Sequence, residues 1–187
     1  MRTLIYIILP IIYLMFPAYN NATQNNRINN NSTPVFVADT AGSDGKGGSC
    51  FHCNNFVTDA FTPGFKLRTL LKNKNNFFNI SKQAVTNMHD SSVVDTAYNF
   101  SNRKNEISIY KASHAEMINR IDVSDRRFSL KGSINVGMTK ENFKNKFSIK
   151  SIDGDTVIIT DEDNIVGFTF YFRKNILVRI TYKAMID

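Results

Sequence analysis

The chain has two cysteines, in the sequence CFHC at residues 50–53. Two cysteines at this spacing can form a redox couple, share a zinc ion or close a small disulfide. A redox couple needs its first cysteine at a helix N-terminus in a βαβ unit, whereas a glycine-rich stretch precedes Cys50. A zinc site usually has four ligands, and the histidines elsewhere, His89 and His114, are isolated. We therefore predict a disulfide between Cys50 and Cys53, with redox and metal binding as the open alternatives.

Beyond the cysteines, the chain offers few groups for catalysis. A serine, cysteine or histidine enzyme needs a nucleophile, a base and an orienting group within mutual reach. The chain has only three histidines, and two of them fall in predicted loops. The acidic clusters at residues 153–155 and 161–163 do not continue into a calcium-binding loop and are typical of turns. We therefore predict no enzyme, no catalytic residue, no metal site and no cofactor.

The N-terminus has the composition of an export signal. Arg2 precedes an apolar run over residues 4–16, which is 13 residues long. A membrane-spanning helix needs about 20 apolar residues, so the length favours the hydrophobic region of a signal peptide. We predict that residues 1–22 are a signal peptide and that the mature protein is secreted or periplasmic. An uncleaved N-terminal membrane anchor is the alternative.

Residues 23–54 have the composition of a linker that contains the cysteine pair. Asparagine dominates the stretch before residue 33, and glycine and serine dominate residues 42–49. Such polar stretches cannot supply a hydrophobic core, so we predict a tether.

The whole chain is basic, with a formal net charge of +7. In an exported protein, this charge favours an envelope or secreted protein partner over nucleic acid. An anionic envelope surface, reached by peripheral membrane contact, is the other partner that the charge permits.

From residue 55 onward, the pattern predicts an α+β domain with short helices packed on an antiparallel sheet. One helix is predicted over residues 139–147, because Thr139 fits an N-cap and Phe143 and Phe147 lie one turn apart. An earlier helix is predicted from Thr62 to Leu71. Strands are predicted over residues 93–100, 106–111, 117–123, 156–160, 166–172 and 176–183. This order of elements occurs twice, so a tandem repeat of helix plus three strands, residues 55–125 and 126–187, is a hypothesis.

Alternation along the last two strands predicts which side chains are buried. The predicted core positions are Val166, Phe168, Phe170, Phe172, Val178, Ile180 and Tyr182. An antiparallel sheet commonly packs on one face only, so the other face is either solvated or a binding surface. The predicted binding residues are Tyr110, Arg120, Tyr171, Arg179 and Lys183.

Two segments, INVGMTKENF at residues 134–143 and FYFRKNILVRI at residues 170–180, resemble the BamE (SmpA/OmlA) type of small exported protein. In that family, a similar first segment opens a helix, and a late hairpin carries an aromatic strand. The same plan, duplicated, is found in the beta-lactamase inhibitory proteins. The resemblance covers residues 134–187 and implies a fold rather than a partner. This chain lacks the family's Gly-x-Pro turn after the helix and its lipid-anchor cysteine.

The sequence therefore predicts an exported protein-interaction module. The leading alternative is a redox or metal-binding protein that uses Cys50 and Cys53. A purely structural envelope protein is the third hypothesis. The first hypothesis depends on the sheet face and the second on the state of the two sulfurs.

Overall fold

The computed structural model describes residues 36–43, 48–72, 77–87 and 89–184, which form a strand-rich chain with short helices. The strands are β1 (Asp39–Ser43), β2 (Ser49–His52), β3 (Asn79–Thr86), β4 (Val94–Ser101), β5 (Asn105–Lys111), β6 (Glu116–Val123), β7 (Ser129–Leu130), β8 (Ile134–Asn135), β9 (Thr156–Thr160), β10 (Val166–Arg173) and β11 (Ile176–Ala184). The helices are α1 (Asn54–Asp59), α2 (Leu67–Lys72) and α3 (Lys140–Phe147). Single 3-10 turns occupy Pro63–Phe65 and Lys131–Ser133.

The predicted signal peptide lies outside the described residues. Within the described ranges, no helix is long and apolar enough to cross a membrane. Both the cleavage of residues 1–22 and the alternative of an N-terminal anchor therefore stay predictions.

Nine strands form one sheet in the order β1-β2-β9-β10-β11-β6-β5-β4-β3, and β7 pairs with β8 separately. Neighbours in the large sheet are antiparallel except β2 and β9, which run parallel. The fold is α+β, as predicted. The sheet is mixed rather than purely antiparallel, because β2 enters beside β9 in the same direction.

Helices α1 and α3 pack on one face of the sheet through phenylalanine rings. Phe56 of α1 lies 5.1 Å from Phe168, between ring centroids, and Phe143 of α3 lies 4.7 Å from Phe170. Phe168 and Phe170 are fully buried and Phe172 is 5% exposed, as alternation along β10 predicts. This face therefore holds the core, and the opposite face carries the residues between these phenylalanines.

Helix α3 begins and ends by local rules that the sequence makes visible. The Oγ1 atom of Thr139 accepts a hydrogen bond from the backbone N–H of Asn142 at 3.1 Å, so Thr139 is the N-cap. Phe143 and Phe147 are completely buried. Ser148 adopts a left-handed conformation, with φ 53°, which ends the helix.

Strand β11 departs from simple alternation at Val178. Tyr171 pairs with Arg179, but Phe172 pairs with Leu177, so Val178 is the extra residue of a β-bulge. Leu177 is fully buried, whereas Val178 is only partly buried. The predicted core position of Val178 is therefore wrong, because the bulge shifts the alternation by one residue.

The linker prediction is wrong for the described residues between 36 and 54. The backbone N–H of Phe36 donates to the carbonyl of Lys146 at 2.9 Å, and the N–H of Ala38 donates to the carbonyl of Phe147 at 3.2 Å. The Phe36 ring lies 4.9 Å from the Phe56 ring, between centroids. Strands β1 and β2 then extend the sheet. Backbone pairing and a few aromatic contacts hold these residues, although their composition is polar.

The predicted helix from Thr62 to Leu71 forms only in part. A 3-10 turn over Pro63–Phe65 is followed by Lys66 in an extended conformation, with ψ 139°, and α2 begins after it. The break separates the buried side chain of Phe65 from those of Leu67 and Leu70. Short pieces of helix therefore cover the sheet in this region.

Candidate functional site

Four of the five predicted binding residues lie near one another on the sheet face opposite the described helices. Tyr171 pairs across the strands with Arg179, and Lys183 pairs with Arg120. Arg120, Arg179 and Lys183 border a depression of about 400 Å³. The other residues that line it are Ile121, Asp122, Gly167, Thr169, Thr181 and Tyr182. We call this region, with Tyr171 at its border, the open-face site.

Arg179 is held from two sides. Its Nε atom donates a hydrogen bond to Oδ1 of Asp122 at 2.7 Å, and its Nη2 atom donates to Oδ2 of the same carboxylate. Its guanidinium carbon lies 5.4 Å from the centroid of the Tyr171 ring. The hydrogen bonds to Asp122 also raise the pKa of Arg179. Because 48% of the Arg179 side chain is still exposed, the fixed cation remains accessible to a partner.

Asp122 is a site residue that the sequence analysis missed. It lies on β6, opposite Thr181 of β11, so its carboxylate meets Arg179 only because β6 and β11 are neighbours in the sheet. The available signal was the predicted strand over residues 117–123, in which Asp122 alternates with the buried Ile121 and Val123. Alternation gives the face of Asp122 but does not give the neighbouring strand.

Arg120 and Lys183 are like charges placed directly opposite each other. Such a cross-strand pair is destabilising by roughly 0.2–1 kcal/mol. Arg120 has one distant ion pair, with 4.0 Å between Nη2 and Oε2 of Glu106. Lys183 forms no ion pair with any residue in the described part of the chain. An anionic group on a partner would therefore find an uncompensated ammonium here.

Tyr110, the fifth predicted binding residue, is engaged elsewhere on the same face. Its hydroxyl donates to Oδ2 of Asp95, and Nδ2 of Asn87 donates to the same oxygen at 2.6 Å. Asp95 is only 4% exposed, and its hydrogen bond raises the pKa of Tyr110. The Tyr110 hydroxyl therefore holds a buried carboxylate near the turn between β5 and β6, away from the other four residues, and its role in binding stays a prediction.

The predicted disulfide is not formed, and both cysteines are thiols. Cys50 lies within β2, and Cys53 follows that strand as the N-cap of α1. Residues three apart in an extended chain project to opposite faces, which keeps the two sulfurs apart. Cys53 is 4% exposed, and its Sγ donates to the carbonyl of Val37 at 3.3 Å. The spacing predicted the disulfide wrongly, because it does not show that the two residues lie on opposite faces of an extended segment.

Burial gives Cys53 an unreactive thiol, since loss of solvation raises its pKa. Only the thiolate reacts with iodoacetamide, and a raised pKa leaves less thiolate at neutral pH. We expect Cys53 of the folded protein to be alkylated more than about tenfold more slowly at pH 7.5 than Cys53 in urea. Mass spectrometry of timed, quenched samples measures both rates. Equal rates would show that Cys53 is accessible and would restore the redox alternative.

Among the described side chains near the cysteines, there is no donor set for a metal ion. Nδ1 of His52 lies 3.2 Å from Oγ1 of Thr160 and 3.0 Å from the carbonyl of Asp161, so this ring contacts β9 and the turn after it. In the ranges that the structure describes, no group of three or more His, Cys, Asp and Glu side chains could hold a metal ion.

The open-face site is a half-open depression formed by side chains of neighbouring strands. Its cations and hydroxyls lie on β6, β10 and β11. Such a surface is typical of contact with another macromolecule rather than of a ligand enclosed in a deep cavity. No family model, no curated protein and no solved structure matches this chain.

Proposed function

We propose that the chain is an exported protein-interaction module that binds a partner through the open-face site. The observation that carries this proposal is the position of Arg179, fixed by Asp122 and Tyr171 yet half exposed on a face that no described helix covers. Tyrosine and arginine are among the residue types that most often dominate binding energy at protein interfaces.

The geometry supports binding in two ways. Arg179 is already held in place, so a partner would order fewer side-chain rotamers on binding. Arg120 and Lys183 add positive charge beside it, which favours an acidic patch on an envelope or secreted protein. Because this electrostatic part is exposed, raising the salt concentration should slow association.

The test is capture of a partner from envelope extract with the immobilised full chain. Replacing Tyr171 and Arg179 together with alanine is expected to reduce the captured partner at least about tenfold, since two interface anchors are lost. The matched control replaces Thr58 and Arg68, exposed residues of α1 and α2, with alanine. The control is expected to capture as the wild type does. Equal recovery with the Tyr171 and Arg179 variant would contradict the proposal.

We also infer that the sheet consists of two related halves. Strands β4-β5-β6 and β9-β10-β11 are both three-stranded antiparallel meanders. In the second half Val178 is bulged. In the first half, Ser108 pairs with Arg120 and Ile109 with Ile118, which makes Asn119 the bulged residue. The two bulges occupy the same place in the similar sequences INRI and LVRI, at residues 118–121 and 177–180.

The seam between the halves supports the same inference. Where β6 meets β11, Asp122 lies opposite Thr181, Ile121 opposite Tyr182, and Val123 opposite Ile180. When the two bulges are aligned, Asp122 is equivalent to Thr181, Ile121 to Ile180 and Val123 to Tyr182. Exchanging the halves then maps the Asp122–Thr181 pair onto itself and the other two pairs onto each other. A weaker likeness, between residues 77–80 and 146–149, does not fit, because the first leads into β3 and the second ends α3.

A further inference from the structure

Strand β3 is the last strand of the nine-stranded sheet, and no described strand covers its outer edge. It pairs with β4 over eight consecutive residues, from Asn79 opposite Ser101 to Thr86 opposite Val94, without a bulge. In the described part of the chain, no strand pairs with its other side. Because an antiparallel strand directs half of its N–H and C=O groups to each side, the outer edge is a row of available donors and acceptors.

The outer edge of β3 lacks the features that normally prevent pairing. Proteins usually protect edge strands by shortening them, by bulges or prolines, or by several charges. At the opposite end of the sheet, β1 has five residues and a bulge between Thr40 and Gly42. Strand β3 has eight residues, no proline and one charge, Lys82. The two ends of this sheet therefore differ, and β3 has the geometry that can accept another strand.

We propose that β3 is a self-association edge, on which a second copy of this chain adds its own β3 in the antiparallel direction. An antiparallel edge is self-complementary, because a two-fold axis through its centre places each donor opposite an acceptor of the other copy. The chain already joins two similar meanders in this way, where β6 meets β11. In the dimer, the helices of both copies would lie on the same face of one continuous sheet.

Face and charge together select the register of this pairing. Residues directly opposite each other must lie on the same face, so one residue of β3 must lie opposite its own copy. The two-fold axis passes between these two copies, and we call this residue the central residue. With Lys82 or Gln83 as the central residue, seven residues of β3 from each copy lie opposite one another, and any other central residue pairs fewer. A Lys82 centre would place two ammonium groups opposite each other, which is destabilising. The Gln83 centre places Lys82 opposite Ala84.

Salt should strengthen this dimer. Each copy carries a formal charge of +7, so two copies repel each other at long range. Backbone hydrogen bonds and burial of the β3 side chains would hold the dimer, and neither depends on an ion pair. The salt response is therefore opposite to the one expected for partner binding at the open-face site.

Cysteine cross-linking of the full chain tests the register directly. In the proposed dimer, Gln83→Cys places two thiols directly opposite each other, with Cβ atoms about 5 Å apart, close enough for a disulfide after slight adjustment. In the same dimer, residue 82 lies opposite residue 84 of the other copy. The two thiols of Lys82→Cys are therefore diagonal neighbours, too far apart for a disulfide. Under mild oxidation, Gln83→Cys is expected to give at least about tenfold more covalent dimer than Lys82→Cys. A mixture of Lys82→Cys and Ala84→Cys chains should form a mixed dimer.

The wild type, which has Cys50 and Cys53, measures the background in the same gel. No more dimer from Gln83→Cys than from the wild type would overturn the proposal, and a dominant Lys82→Cys dimer would overturn the register. Sedimentation of uncross-linked protein gives a second measurement. Gln83→Lys should weaken the dimer several-fold, whereas Asn55→Lys, with the same charge change on the exposed side of α1, should leave it unchanged. Equal association of these two variants would contradict pairing through β3.

Discussion

Replacing Phe56 with alanine is expected to lower the free energy of unfolding by about 3–5 kcal/mol. Phe56 is completely buried on α1. Its ring centroid lies 4.9 Å from those of Phe36 and Phe147 and 5.1 Å from that of Phe168. The side chain therefore joins α1 to the sheet, to α3 and to the segment before β1. Its removal leaves a cavity that four separate elements would have to close.

Urea unfolding followed by circular dichroism measures this loss. The control is Thr58→Ala, an exposed position on the same helix, for which we expect a change within about 0.5 kcal/mol. A loss below about 1 kcal/mol for Phe56→Ala would show that α1 does not contribute to the cooperative core. The comparison matters because the sequence analysis assigned the start of α1 to a linker.

The elements that the sequence predicts well are those whose side chains carry a regular pattern. The strands from β4 to β6 and from β9 to β11 lie within two residues of their predicted bounds. Helix α3 was predicted from Thr139 and the spacing of Phe143 and Phe147. In these segments, burial follows local alternation or helical periodicity, so the pattern alone contains the answer.

Strands β2 and β3 were missed for different reasons, because β3 is barely buried and β2 is short. Strand β3 is exposed or partly exposed along its whole length, and pairing with β4 holds it in the sheet. Strand β2 has four residues, and its parallel neighbour β9 lies about a hundred residues later in the chain. Partners so distant in sequence cannot be predicted from the composition of either strand.

The candidate site was predicted only in part, for the same reason. Alternation placed Tyr171 and Arg179 on one face, and the structure makes them cross-strand neighbours. The contribution of Asp122 required the pairing of β6 with β11, and the role of Tyr110 required its contact with Asp95. The face of a residue is a local property, whereas its partner depends on the order of the strands.

The largest loss of stability that we expect follows from deleting Thr181, which lies three residues after the bulge at Val178. Removing Thr181 shifts the end of β11 by one residue against both of its neighbours, β10 and β6. Tyr182 would then leave the core, where its ring lies 4.7 Å from Phe168 between centroids, and Lys183 would take its place. If the strand instead removed its bulge to compensate, Arg179 would occupy the buried position of Ile180. Either arrangement buries a cation without a partner.

Deletion of Thr181 is therefore expected to destabilise the protein by more than about 4 kcal/mol, which is enough to unfold many domains. Deletion of Val178 should cost less than about 1.5 kcal/mol, because Leu177 and Arg179 keep their partners Phe172 and Tyr171 when the extra residue is lost. Denaturant unfolding of the two deletion variants measures the difference. Both remove one residue from the same strand, so chain length and loop closure are matched.

The first half of the sheet provides an independent comparison. If the two halves are related, deletion of the bulged Asn119 should be tolerated as well as deletion of Val178, and deletion of Asp122 should be as damaging as deletion of Thr181. Asp122 and Thr181 lie opposite each other at the seam, so each deletion would misalign both halves. Equal damage from all four deletions would mean that β6 and β11 tolerate no length change at any position. That result would mean that the bulged residues are required for the pairing of these strands and are not extra residues that the strands can lose.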